Sequence, residues 1–227
     1  MKQFLISITS NCEGLAENYL RTLPNLDDSV ETIMIQFQPF FDANVDKIFK
    51  IDTPYVGNLN RFKYFPKGFE DEDIIIFTDA SDVIFQKPIP ELGQIIYVAP
   101  EYDTWGDDNW WKEKLSLYNY NGLDGFPIYC MGTWAMPYKL VKDLLDFLDK
   151  NAGMFGHSQF SDQILFNIWL KDKDYMQRSD LMASLYSGYH FGRVIKTDKG
   201  FVNHAGNLIS IVHANGNLKH LLVNKQL

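Results

Sequence analysis

Cysteine is scarce in this chain. Only Cys12 and Cys130 occur among 227 residues, too few for a disulfide framework. Neither belongs to a Cys-x-x-Cys pair of the kind that holds zinc or exchanges disulfides. No apolar run approaches the roughly 18 residues of a membrane span. The N-terminal Phe4-Leu5-Ile6-Ser7-Ile8 is too short for a secretory leader and lacks a small-residue cleavage site, so the expected location is cytoplasmic. A basic excess is missing too: 21 Lys and Arg face 29 Asp and Glu, for a net charge of −8. That balance, with a pI near 5.1, excludes nonspecific nucleic-acid binding, which needs clustered cations. It leaves phosphate-bearing ligands open, because a bound cation can supply the positive charge. Internal repeats, low-complexity segments and linkers are absent as well. The expectation is therefore one domain over residues 1–227.

What the chain does have is apolar strand material and aromatics. With 17 Phe, 12 Tyr and 5 Trp, it can fill a large core or line a carbohydrate-facing cleft. Phe4 to Ile8 reads as a buried strand, followed by a polar turn, Thr9-Ser10-Asn11, that can cap a helix. That helix is predicted over Leu15 to Leu23, ending before Pro24. Strands follow at Ser29–Gln36, Lys47–Ile51, Ile74–Phe77, Val83–Phe85 and Ile95–Ala99, with a short helix over Gly57–Phe65. Later come a helix near Trp110–Leu117, a strand-like Ile128-Tyr129-Cys130, and an amphipathic helix after Pro137 with Leu140, Val141, Leu144, Leu145 and Leu148 on one face. A further helix runs from about Gln159 to Leu170 with Ser158 as its cap. Leu208 to Val212 reads as a last strand ending at His213. Strands alternating with helices imply an α/β fold.

Chemistry concentrates at Ile74-Ile75-Ile76-Phe77-Thr78-Asp79-Ala80-Ser81-Asp82-Val83. Four apolar residues in a row suit a strand buried on both faces, as in a parallel sheet covered by helices. Ligands of open α/β sheets bind beyond the carboxyl ends of such strands, where Asp79 and Asp82 stand. Two carboxylates there can share Mg²⁺ or Mn²⁺ and through it a diphosphate; they are equally ordinary turn residues in water. His213 again follows an apolar strand and precedes Ala214-Asn215-Gly216. Asp162 lies in the first turn of a predicted helix, where a carboxylate also simply complements the helix dipole.

Taken together, these segments resemble the glycosyltransferase domains of procollagen lysyl hydroxylases and procollagen galactosyltransferases. Phe77-Thr78-Asp79-Ala80-Ser81-Asp82-Val83-Ile84 is similar to their metal motif, an apolar strand followed by Asp, two variable residues, Asp and Val. His213-Ala214-Asn215-Gly216 is similar to their C-terminal motif, in which His completes the metal site. Ala99-Pro100-Glu101 leading to Trp105 resembles the acidic-then-Trp segment lining the donor-sugar pocket. Ser161-Asp162-Gln163-Ile164 resembles an Asp-Asp-Gln motif, and Ser7-Ile8-Thr9-Ser10 holds the place of the strand that meets the nucleotide. The order of all five agrees over nearly the whole chain. Departures are Asn217 where the family has Pro, Ser161 in place of a carboxylate, and no Lys before the metal strand, where Arg61 is the nearest match.

The resemblance implies a GT-A fold, a mostly parallel mixed sheet with helices on both faces. It implies a metal-dependent transferase moving sugar from a UDP-sugar to a glycan, protein or small-molecule acceptor. Asp79, Asp82 and His213 would hold Mn²⁺ or Mg²⁺, the imidazole favouring Mn²⁺. Thr9, Arg61, Asp79, Trp105, Asn215 and Gly216 would bind the donor, Trp105 as an apolar wall for the sugar. Asp162 would be the catalytic carboxylate. Two rivals remain at this point. A phosphotransferase or phosphatase can also place two aspartates at a strand end, usually one residue apart and with one as nucleophile. Ser161 keeps open a non-catalytic, carbohydrate-binding relative.

Overall fold

The computed structural model describes residues 1–9, 13–155, 160–185, 193–214 and 216–222. In chain order the strands are β1 Gln3–Thr9, β2 Val30–Gln38, β3 Lys47–Pro54, β4 Ile74–Asp79, β5 Val83–Phe85 and β6 Ile96–Thr104. They continue as β7 Pro127–Pro137, β8 Tyr175–Gln177, β9 Met182–Ser184, β10 Val194–Thr197, β11 Gly200–Asn203 and β12 Ile211–His213. The α-helices are α1 Glu13–Thr22, α2 Asn109–Ser116, α3 Tyr138–Asn151 and α4 Ser161–Leu170, and a 3-10 helix spans Asn60–Tyr64. Among the described residues no helix is long and apolar enough to cross a membrane.

Seven strands form the main sheet in the order β3-β2-β1-β4-β7-β6-β8. β1, β2, β3 and β4 run parallel, β7 is antiparallel to both β4 and β6, and β8 is parallel to β6. The sheet is thus mostly parallel but mixed. All seven residues of β1 are buried, the pattern of a strand covered on both faces. On one face, Ile6, Ile75 and Phe77 pack with Val141, Leu144 and Leu148 of α3 and with Ile164 and Leu165 of α4. On the other, Leu5, Ile74 and Ile76 meet Ala16 and Tyr19 of α1 and Phe85, Met182 and Ile211 of a second sheet. That second sheet has the order β5-β12-β9.

The chain leaves β1 toward β2 on one side, while β4 adds on the other. This reversal opens a crevice at the carboxyl ends of β1 and β4, where ligands of open α/β sheets bind. Thr9 ends β1 and Asp79 ends β4.

Several expected elements differ in extent. The predicted helix over Gly57–Phe65 is a 3-10 turn of five residues. β6 continues past Ala99 to Thr104, so Glu101 lies within the strand. The strand read as Ile128–Cys130 is eleven residues long and passes through Gly132. The last strand is Ile211–His213; Leu208 makes only an isolated bridge to Val202. Ser10 and Asn11, expected in a turn, and Ser158 and Gln159, expected as the cap and the start of a helix, lie outside the described residues. The residue before α4 is Phe160, which makes no side-chain cap.

Candidate metal centre

Asp79 is delivered by β4. Asp82 stands just before β5, and β5 pairs antiparallel with β12 so that Val83 faces His213. The amide of Ala214 donates to the Asp82 carbonyl at 2.8 Å, closing the pair. Strand alternation then aims the imidazole. In β12, Ile211 faces the main sheet and Val212 the opposite cluster, so His213 shares the side of Ile211. Asp79, Asp82 and His213 can each offer one ligand atom with all three inside 4.8 Å of one another. His213 Nε2 lies 3.2 Å from Asp82 Oδ1 and 3.9 Å from Asp79 Oδ2.

Space for this cluster comes from a residue whose role the sequence reading did not foresee. A Cβ on Gly132 of β7 would sit 2.5 Å from His213 Cε1 and 2.6 Å from Asp79 Oδ2. Only a residue without a side chain lets β7 pass behind the triad. The strand also changes register here. Between the pairs Val98↔Trp134 and Pro100↔Tyr129, β7 takes five steps where β6 takes two. Such irregularities bend a strand and re-aim its side chains.

Arg61 borders the triad on one side. It is buried, its Nη1 donates to Asp79 Oδ1 at 2.6 Å, and its Nη2 lies 3.5 Å from Asp162 Oδ2. The guanidinium also stacks near Phe62 and Phe77, 5.1 and 5.6 Å from their ring centres. Burial disfavours this cation, but Asp79, Tyr55 and Asp162 outweigh burial and keep it protonated. Asp162 is itself buried in the first turn of α4. Burial pushes its carboxyl up to about 6; Arg61 opposes that and Asp79 adds to it. Burial works against the His213 imidazolium, yet Cys130 and Asp82 draw its pKa well above the usual histidine range. A pocket that pulls a proton onto a buried imidazole is one in which positive charge is stabilised. The donor set of two oxygens and one nitrogen suits a divalent ion such as Mn²⁺.

The other expected residues are placed as follows. Thr9 is buried at the end of β1, and its hydroxyl has no hydrogen-bond partner among the described residues. Gly216 opens a 3-10 turn, Gly216–Leu221, just beyond His213. Asn215 lies outside the described residues. Trp105 departs from the expected sugar wall. It has no exposed surface, its ring packs 4.7 Å from that of Trp111, and its Nε1 donates to Asn167 Oδ1 at 3.4 Å. A ring so enclosed supports β6 and α4 from within. Glu101 of the same segment is buried and accepts from Gln163 Nε2 at 3.1 Å, linking β6 to the helix that carries Asp162.

No protein-family model matches the chain, and no curated protein matches it. A solved structure does. The glycosyltransferase GlyE of Streptococcus pneumoniae TIGR4 aligns with 98% of this chain at a TM-score of 0.51 and 15% identity. The two share a fold. This chain has a GT-A-like α/β architecture, with a mostly parallel mixed sheet between helices. It spans 59% of the GlyE chain. At that identity the likeness concerns the fold, and the chemistry has to be argued from the residues.

Proposed function

We propose that this chain is a metal-dependent glycosyltransferase using a UDP-sugar donor, of the type found in procollagen lysyl hydroxylases and galactosyltransferases. One observation carries the reading. Asp79, Asp82 and His213 converge at the crevice of a fold shared with a glycosyltransferase. We take residues 1–227 as one catalytic domain.

A divalent ion held by these three residues would act as Lewis acid toward the diphosphate leaving group, whose charge grows as the donor bond breaks. Arg61 fixes Asp79 by binding one carboxylate oxygen and leaving Oδ2 toward His213. Thr9 offers an unpartnered hydroxyl at the mouth of β1 for the nucleotide. Asn215 and Gly216 stand two and three residues after His213 in the chain and are assigned to the diphosphate. Asp162, with a carboxyl pushed up to about 6, is poised between its two forms close to neutral pH. That suits a group that receives a hydrogen bond or a proton from a sugar or acceptor hydroxyl. The acceptor is a glycan, protein or small molecule. Cys130 is a buried free thiol, in keeping with the reducing cytoplasm proposed as its setting.

Thermal unfolding with UDP, with and without Mn²⁺, tests the reading on the wild type and on Asp82→Asn. A ligand at about 100 times its Kd adds about 2.7 kcal/mol, an easily read shift. The expected result is stabilisation of the wild type only, and only with both UDP and Mn²⁺. Equal stabilisation of Asp82→Asn would remove the metal assignment. UDP binding without transfer or donor hydrolysis across a broad acceptor panel would point to a binding module instead.

A further inference from the structure

The imidazole of His213 has a second nitrogen, and its surroundings are as specific as those of the first. Nδ1 lies 3.1 Å from Thr133 Oγ1 and 3.2 Å from Cys130 Sγ. The Thr133 hydroxyl has one proton, which it donates to the Gly132 carbonyl at 2.7 Å. Its oxygen therefore meets Nδ1 with a lone pair. A ring nitrogen facing a lone pair is satisfied by carrying a proton. Thr133 is fully buried and Cys130 nearly so, so bulk water does not compete for this contact. Turning the ring over would set carbon atoms opposite both Thr133 and Asp82, abandoning two polar contacts in a dry site.

The placement depends on the irregularity in β7. Residues three apart in a regular strand point to opposite faces, yet Cys130 and Thr133 both reach one nitrogen. The extra residues of β7 between Tyr129 and Trp134 make this possible. The same short segment supplies Gly132, whose missing side chain leaves room for His213 and Asp79.

We infer that Thr133 is a positioning residue for the metal centre. It holds His213 with its proton on Nδ1, so that Nε2 presents an electron pair between Asp79 and Asp82. The inference rests on the metal-centre reading above, and it concerns which nitrogen of His213 is available to an ion. Partners of this kind on a ligating histidine set its tautomer and orientation.

The test compares wild type, Thr133→Ser and Thr133→Val. Ser keeps the accepting oxygen, whereas Val keeps the branched shape and loses it. Mn²⁺ affinity is read by water-proton relaxation, and the fold by circular dichroism and thermal midpoint without metal. The tautomer is read from the ¹⁵N spectrum of labelled His213 with diamagnetic Mg²⁺ or Cd²⁺. Val should weaken Mn²⁺ binding by about 10- to 100-fold, while Ser stays within roughly threefold of wild type. The spectrum of the loaded wild type should show the proton on Nδ1. Wild-type affinity in Val, or a proton on Nε2 in the loaded wild type, overturns the inference. If Val does not fold, the wild-type and Ser spectra decide alone. If the wild type binds no divalent ion, the metal reading is what fails. The spectrum at a pH high enough to give neutral imidazole then settles the role of Thr133: a proton on Nδ1 upholds it, a proton on Nε2 removes it.

Discussion

The two sides of the triad are built on different physics. Asp79 is held by charge: Arg61 pairs with it at 2.6 Å and leans on Asp162 at 3.5 Å. Asp82 faces His213 Nε2 at 3.2 Å, but the rest of the ring is held by neutral groups, a threonine hydroxyl and a thiol at Nδ1 and a glycine that makes room. Removing one partner from the charged side strands a buried ion. Altering the neutral side misplaces a ring but leaves little charge uncompensated. The charged border therefore matters most for stability, and the neutral border for ligand geometry.

Arg61→Met probes the charged side and should have the largest effect. It leaves Asp79 and Asp162 without their shared cation, and breaking a buried pair costs about 3–5 kcal/mol. Urea unfolding measures this. A loss below 1 kcal/mol would mean that water already compensates these carboxylates. Gly132→Ala probes the neutral side. The added methyl meets His213 and Asp79 at distances that force movement, so about 1–3 kcal/mol of overpacking is expected. Mn²⁺ binding should be lost with it. Retained Mn²⁺ affinity in this variant would show that His213 can move aside without harm.

Asp162→Asn sharpens the contrast through pH. The folded pKa of Asp162 is raised to about 6. Its contribution to stability is thus fully present below the unfolded value near 4 and is lost as pH rises through about 6. The wild type should lose stability relative to Asp162→Asn between pH 4 and 7, by roughly 2–3 kcal/mol for a shift of this size. Thermal midpoints of the two proteins over that range check it. Parallel curves would mean that Arg61 fully offsets the burial of the carboxylate.

Legibility in the sequence followed the same division. The apolar run of β4 announced a strand buried on both faces, and its two aspartates lie where such a strand ends. The leucines of α3 showed their helical spacing, and the helix begins immediately after Pro137. The resemblance led to His213, which the structure brings beside the aspartates. Short strands were harder. β8, β9, β10 and β11 have three or four residues each, too few for a hydrophobic period to register. The course of β7 through Gly132 was missed because a glycine beside a strand normally signals its end. Thr133 and Cys130 carry no local signal at all, since their importance comes from a register change that only the paired strands reveal. The buried state of Trp105 was likewise set by Trp111 of the following helix α2 and by Asn167 of α4, an element remote in sequence from its own motif.

The latch between Asp82 and Ala214 has a consequence for the order in which the protein is made. Asp79 and Asp82 emerge from the ribosome well before His213, and β12 is the strand that seats the imidazole between β5 and β9. A nascent chain that has made β1 to β5 carries both carboxylates but only an incomplete site. On the metal reading proposed above, ion binding has to wait until β12 is made, and a chain stopped before that strand would lack one of the three ligands.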